Sequence, residues 1–245
     1  DKLFVIEEIE RKYGSRVSER EIDSAVSNLE GSFVSKSDEQ KKYAQIEMVQ
    51  STQSGMIWRM RSLYERLNHP AFYSFMKDLV ELSQARMQDL YAGKLREDAF
   101  VLYEKYSRRD VCQLLNCTRD MSSTMYGMRR IDGDACIFVT YHKQERASGQ
   151  GYLEGKPDYA DEFVDNQTFM WDSQIGRGPD SSYMKEVLTA ERRRLFIKKS
   201  DSEGAEFYYM GLFDVIEAKA GQKKDNRGKM REITKVKAHM HQEVR

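Results

Sequence analysis

The spacing of apolar residues changes character near Met121, and that change limits what this chain can fold into. Ahead of it the apolar residues recur at helical intervals, while after it they gather in short β-branched runs. Leu3, Phe4, Ile6 and Ile9 fall near helical spacing, and Gly14 stops that element. Ser18-Glu19-Arg20-Glu21 fits a capping box, and Ile22, Val26 and Leu29 follow on one face before Gly31. Ser37, with Gln40 three residues on, starts a run carrying Tyr43, Ile46 and Val49. Met56, Met60, Leu63, Tyr64 and Leu67 predict a longer helix. Pro70 suits the first turn of the next one, which carries Phe72, Phe75, Met76, Leu79, Leu82 and Met87 to about Tyr91 before Gly93. Ser107-Arg108-Arg109-Asp110 caps a short helix over 111–115. This half reads as a helical bundle.

Beyond Met121 the compact run 135–141 (ACIFVTY) predicts a buried strand behind an Asp132-Gly133-Asp134 hairpin turn. Leu195-Phe196-Ile197 predicts a second strand, Phe207-Tyr208-Tyr209-Met210 a third and the run 211–218 a fourth. Turn signals about every ten residues suggest an antiparallel, barrel-like unit. Residues 143–160, with three glycines and Pro157, read as a long loop. The expected fold class is therefore α+β: a helical coupling domain over 1–118, then a β-barrel-like domain over 119–245.

Hydrophobic residues make up 40% of the chain, charged residues 33% and aromatics 11%, which excludes a disordered or collagen-like chain. No apolar run approaches the ~20 residues of a membrane helix, and no signal peptide is visible. Cys112, Cys117 and Cys136 cannot build a disulfide framework, so a cytoplasmic setting is expected. The chain lacks an initiator Met and reads as a fragment of a larger protein. Its 40 Lys and Arg cancel 40 Asp and Glu, yet the charge is uneven. Residues 219–245 hold nine Lys and Arg against three acidic residues. Arg192-Arg193-Arg194 with Lys198-Lys199 form a second basic cluster, and Arg129-Arg130 with Lys143 lie near the first strand. Patches of this kind neutralise phosphates without reading sequence.

The segment 161–178 (DEFVDNQTFMWDSQIGRG) mixes aromatics with carboxylates and amides. A pocket for an extruded base needs that mixture, since rings stack on the base and polar groups bond its edge. The same residues can equally be core aromatics and an Asp-Asn turn. Tyr141-His142-Lys143 ends the first strand, where a ring can stack and a cation can meet phosphate. A different chemistry is suggested by Pro179-Asp180 followed by Glu217-Ala218-Lys219. That arrangement resembles the Pro-Asp…Glu-x-Lys nucleases, in which Asp180 and Glu217 would hold a divalent metal and Lys219 would activate water. A purely structural coupler without DNA is the third alternative.

Residues from Tyr106 onward resemble a known family. The motifs are Tyr106-Ser107-Arg108-Arg109-Asp110-Val111, Leu114-Leu115-Asn116, Tyr126-Gly127, Ile137-Phe138-Val139-Thr140-Tyr141-His142-Lys143, Asp161-Glu162-Phe163 with Asp165, and Phe169-x-Trp171-x-Ser173. Leu195-Phe196-Ile197-Lys198-Lys199-Ser200-Asp201 and Phe207-Tyr208-Tyr209-Met210-Gly211 complete them. Together they look like the C-terminal domain, formerly of unknown function, of long bacterial proteins that carry a phospholipase-D-type nuclease and a DEAD-like helicase. That group includes modification-dependent (type IV) restriction enzymes acting on methylated cytosine. Ile137, where the family has proline, and the stretch 172–180, which is less basic than the family's, depart from the pattern.

The resemblance implies a non-catalytic recognition region working with the nuclease and helicase domains of the same polypeptide. By analogy with readers of methylated cytosine, the expected fold is related to the SET-and-RING-associated (SRA) or PUA-like barrels. Its ligand would be double-stranded DNA with modified cytosine, the base flipped into a pocket formed by Tyr141, His142, Asp165, Asn166, Phe169 and Trp171. Arg129, Arg130, Lys143, Arg177, Lys198, Lys199, Lys223, Lys224 and Arg227 would hold the DNA backbone. No catalytic residue, metal or cofactor is expected in this fragment.

Overall fold

A computed structural model describes residues 1–245 except 35, 44–47, 53–55, 93–95, 98, 141–160, 226 and 245. Contacts divide the chain into two units, Asp1–Lys94 with Arg109–Ser122, and Leu95–Arg108 with Ser123–Arg245. No helix among the described residues is long and apolar enough to cross a membrane.

The first unit holds α1 (Lys2–Tyr13), α2 (Glu19–Glu30), α3 (Ser37–Tyr43), β1 (Val49–Ser51), β2 (Ile57–Arg59), α4 (Arg61–Leu67) and α5 (Pro70–Tyr91). The capping box forms as the sequence predicts: the Ser18 N–H donates to Glu21 Oε2 at 2.7 Å, and the Glu21 N–H donates to Ser18 Oγ at 3.3 Å. α2 buries Ile22 and Val26, and its Arg20 and Ser24 side meets the returning limb 109–122. Ser24 Oγ donates to the Cys117 carbonyl at 3.1 Å, and Arg20 donates to the Leu115 and Asn116 carbonyls. Two differences separate this unit from the expected bundle. Val49 does not extend a helix, and the Met56 run is helical only from Arg61 to Leu67 (α4), because the residues before it pair in an antiparallel hairpin, Gln50 opposite Trp58. α5 does begin with Pro70 at its first turn, but Phe75, Leu79 and Leu82 on its apolar stripe stay exposed.

In chain order there follow β3 (Arg96–Glu97), β4 (Phe100–Val101), β5 (Lys105–Ser107), α6 (Arg108–Leu114), β6 (Met128–Ile131), β7 (Asp134–Thr140), β8 (Glu162–Phe163), β9 (Thr168–Asp172), α7 (Ser182–Leu188), β10 (Arg192–Lys198), β11 (Glu206–Lys224) and β12 (Met230–Met240). Eight strands form one sheet in the order β6-β7-β10-β11-β12-β9-β8, with β5 on β11. This corrects the antiparallel barrel: the sheet is open and mixed, because β7 and β10 run parallel, Arg192 opposite Asp134 through Lys198 opposite Thr140. A parallel pair needs a long connection, and the residues between Thr140 and Arg192 supply it. β7 is buried on both faces, as its unbroken apolar run requires. Ile137, Val139, Leu195, Trp171, Phe213 and Val236 pack on one side. On the other, Phe138 stacks on Phe196 at 4.9 Å, beside Phe100, Phe207 and Tyr209.

The third and fourth expected strands are one strand, β11, which continues through Gly211. Leu195 faces Gly211 while Phe196 faces Tyr209, so Met210 is an extra residue, and Gly211 adopts φ 106° beside it. Ile216 is extra in the same way between Val215 and Glu217. Such bulges bend a strand and increase its twist. The basic stretch after residue 219 is not a free tail, since most of it lies in β11 and β12.

Candidate nucleic-acid interface

β7 and β9 end beside one cleft of about 210 Å³. Its described lining comes from the start of α6 (Arg108), the turn before β6 (Gly127), β7 (Phe138, Val139, Thr140), β9 (Trp171, Asp172), their flanks (Asp161, Gln174) and α7 (Tyr183). The volume lies below the roughly 300–1,000 Å³ of sites for drug-sized ligands, so it suits one small group. The backbone angle favours glycine at 127, and a side chain there would displace Gln174. The φ of Gly127 is +74°, and a Cβ would come within 2.7 Å of the Gln174 amide. That amide donates instead to the Tyr126 carbonyl at 2.7 Å, which fixes one rim.

The wall carries both acidic and cationic groups. The Asp172 N–H donates to Asp161 Oδ1 at 3.0 Å, and Asp172 Oδ2 accepts from Lys223 Nζ at 3.2 Å. Trp171 and Tyr183 present tilted rings 6.4 Å apart, and the Arg177 guanidinium lies 5.5 Å from the Tyr183 ring. Arg108 stands over Phe207 at 4.8 Å, Phe138 at 5.4 Å and Tyr126 at 5.6 Å. Burial pulls its pKa below the usual arginine range, and its buried Nε has no hydrogen-bond partner among the described residues. A half-buried cation without an acidic partner is what an anionic or acceptor-rich ligand would complete.

Of the four expected pocket residues that are described, Trp171 alone lies on its wall. Phe169 is 1% exposed and packs in the core, its ring 4.8 Å from Phe163. Asp165 is exposed and holds a turn: its Oδ1 accepts from the Gln167 and Thr168 N–H groups, which keep its pKa below the usual carboxylate range. Asn166 is exposed in the same turn, and its carbonyl accepts from the Val244 N–H at 2.7 Å. Tyr141, His142 and Lys143 lie outside the described residues; they follow Thr140, which does line the cleft.

The backbone candidates scatter. Arg129 and Arg130 are half-buried on β6, and Arg130 donates to the Glu186 carbonyl at 2.7 Å. Lys198 pairs with Asp201 at 3.0 Å, whereas Lys199 and Arg177 are exposed. Lys223 touches the cleft through Asp172, and Lys224 and Arg227 are exposed at the β11–β12 turn. For the nuclease alternative, Glu217 and Lys219 pair with each other at 2.7 Å on β11, and Asp180 is exposed ahead of α7. Among the described residues no three His, Cys, Asp or Glu side chains converge as a metal site. The sequence reading missed Arg108, Phe138, Asp161, Asp172, Gln174 and Tyr183 as site residues. Asp161, Asp172 and Gln174 lie inside the aromatic-polar segment it did single out, four residues or more from Asp165 and Asn166.

Comparison with known proteins adds a family. A family model described as a domain of unknown function (DUF3427) matches residues 100–245, and another domain of unknown function (DUF8090) matches residues 4–90. Among curated proteins no match is found. Among solved structures, the DNA modification-dependent restriction endonuclease AspBHI is 13% identical, with 61% of this chain and 78% of that chain covered and a TM-score of 0.40. The sulfur binding domain and SRA domain of ScoMcrA, complexed with phosphorothioated DNA, is 13% identical, with 79% of this chain and 64% of that chain covered and a TM-score of 0.33. Similarity at this level fixes neither the fold nor the ligand of this chain.

Proposed function

This chain belongs to the DUF3427 family, and we propose that its sheet unit recognises double-stranded DNA carrying a modified cytosine, with the base extruded into the cleft. The observation that carries this reading is the cleft's lining: three aromatic residues, two carboxylates, an amide and a half-buried arginine around a space of about 210 Å³. Trp171 and Tyr183 offer ring faces to the base. Asp161 and Asp172 offer acceptors to the exocyclic amine of cytosine, and Gln174 offers a second edge contact. Arg108 meets the phosphate or the acceptor edge of the base. Arg177 and Lys199, both exposed, contact the backbone. Discrimination for a methyl group rests on apolar contact and is worth about 1–3 kcal/mol. Cleavage and translocation would belong to other parts of the same polypeptide, a nuclease and a helicase.

Fluorescence anisotropy on matched duplexes with methylated and unmodified cytosine tests this reading. The expected result is about tenfold tighter binding to the modified duplex. Tyr183→Ala, at a half-exposed position, should remove most of that difference. Trp171 is also a core residue, so Trp171→Phe is the informative change there. Equal affinity of the wild-type chain for both duplexes would overturn the reading.

A further inference from the structure

We infer that the outer part of the β11–β12 hairpin, residues 216–237, is an arm that lays one face along the phosphates of duplex DNA. This rests on the proposed reading of the cleft as a DNA site, which identifies the polyanion. The argument starts from strand register. Glu217 lies opposite Lys237, Lys219 opposite Lys235, and Lys223 opposite Arg231. Directly opposed residues of an antiparallel pair share a face, so five cations and one acid stand on one side. The alternate pairs, Ala218–Val236, Ala220–Thr234, Gln222–Glu232 and Lys224–Met230, place one cation and one acid on the other side. Like charges in direct cross-strand register oppose pairing. Glu217, Asp172 and Asp225 offset part of that repulsion at Lys219, Lys223 and Arg231, and an anionic partner would lower the rest.

The acidic residues nearby do not cancel this face. Glu217 is taken by Lys219 at 2.7 Å, and that lysine side chain remains 69% exposed. Asp225 is spent on the turn: its Oδ1 accepts from the Arg227 and Lys229 N–H groups and its Oδ2 from Arg231 Nε. Lys224, Arg227, Lys229 and Lys235 make no ion pair among the described residues, and all four are exposed. Thr234 and Val236 on the opposite side and Ile233 on the charged side are buried and hold the arm, while Lys219, Arg231, Lys235 and Lys237 on the charged side stay exposed. The charged face also reaches the cleft. Lys235 lies opposite Asp172 on β9, and Lys223 bonds that same Asp172, which lines the cleft wall. A duplex lying on the ribbon is thereby placed beside the cleft. A two-stranded ribbon matches the dimensions of a DNA groove, and lysine-phosphate contacts are independent of sequence.

The test compares the wild-type chain with Lys219→Gln/Lys235→Gln across a salt series, on methylated and unmodified duplexes. The logarithm of affinity should fall less steeply with the logarithm of salt in the double variant, by about two in slope. The loss should be equal on both duplexes, and thermal stability should not fall, because a repulsive pair has been removed. An unchanged slope overturns the arm. So does wild-type binding to poly-glutamate as tight as to duplex at the same salt. The methylated-to-unmodified affinity ratio reports the cleft separately. A ratio of one with a reduced slope sinks the cleft reading and leaves the arm standing.

Discussion

Arg194 is 0% exposed although the sequence sets it among three consecutive arginines. Its Nε donates to Asp134 Oδ1 at 3.1 Å, its Nη1 to the Tyr209 hydroxyl at 3.1 Å, and its guanidinium lies 5.1 Å from the Phe100 ring. Arg192 clasps the same Asp134 at 2.8 Å and 3.0 Å. The triplet is therefore a structural device on the parallel β7–β10 pair, and not the phosphate patch that its composition suggests. Arg194→Ala leaves a buried carboxylate with less compensation and should cost about 3–5 kcal/mol in urea denaturation. The buried thiols behave as core groups too. The Cys117 hydrogen bond, then burial, push the Cys112 thiol far above its ordinary range.

At the scale of elements, β11 does the most to shape the sheet unit. Its first part pairs with β5 and β10 and its second with β12, and the extra residues Met210 and Ile216 bend it between these partners. Gly211→Ala forces a side chain into φ 106° and should lower stability by about 1–3 kcal/mol, read as a lower melting temperature. What could be read in advance follows from where the information sits. α2 was legible because Ser18 and Glu21 act within one turn of each other at its start and Gly31 alone marks its end. β7 was legible because burial on both faces demands an apolar run. β12 was not, because its alternating Lys and apolar residues look like a charged tail until β9 and β11 flank it. α7 was missed although Ser181 caps it, since only Met184 and Val187 mark its buried side. The cleft was half legible. The segment 161–178 announced itself, but Phe138, Tyr183 and Arg108 come from three other elements, and only the sheet order brings them together.

Across the whole molecule each unit has its own polar clasp. In the first, Arg109 bridges Asp120 at 2.8 Å and Glu39, tying the limb 109–122 to α3. Burial raises the Asp120 pKa, but hydrogen bonds from Ser122 and the Arg109 guanidinium outweigh it, so the folded carboxyl lies below its ordinary value. A depressed folded pKa contributes stability above the unfolded value of about 3.9 and loses it as pH falls through the folded one. Asp120→Asn should thus cost stability at neutral pH and progressively less below about pH 4, measured by denaturant melts followed by circular dichroism.

The order of strands in the sheet differs from their order in the chain, and this bears on how the protein is made. β9 leaves the ribosome well before β12, its main partner, and β5 long before β11. Until those later strands arrive, Phe169 and Trp171 belong to an unpaired edge that can capture other chains. Synthesis therefore holds the sheet unit in an aggregation-sensitive state until the last long strand is made, and a chaperone would be needed most in that interval.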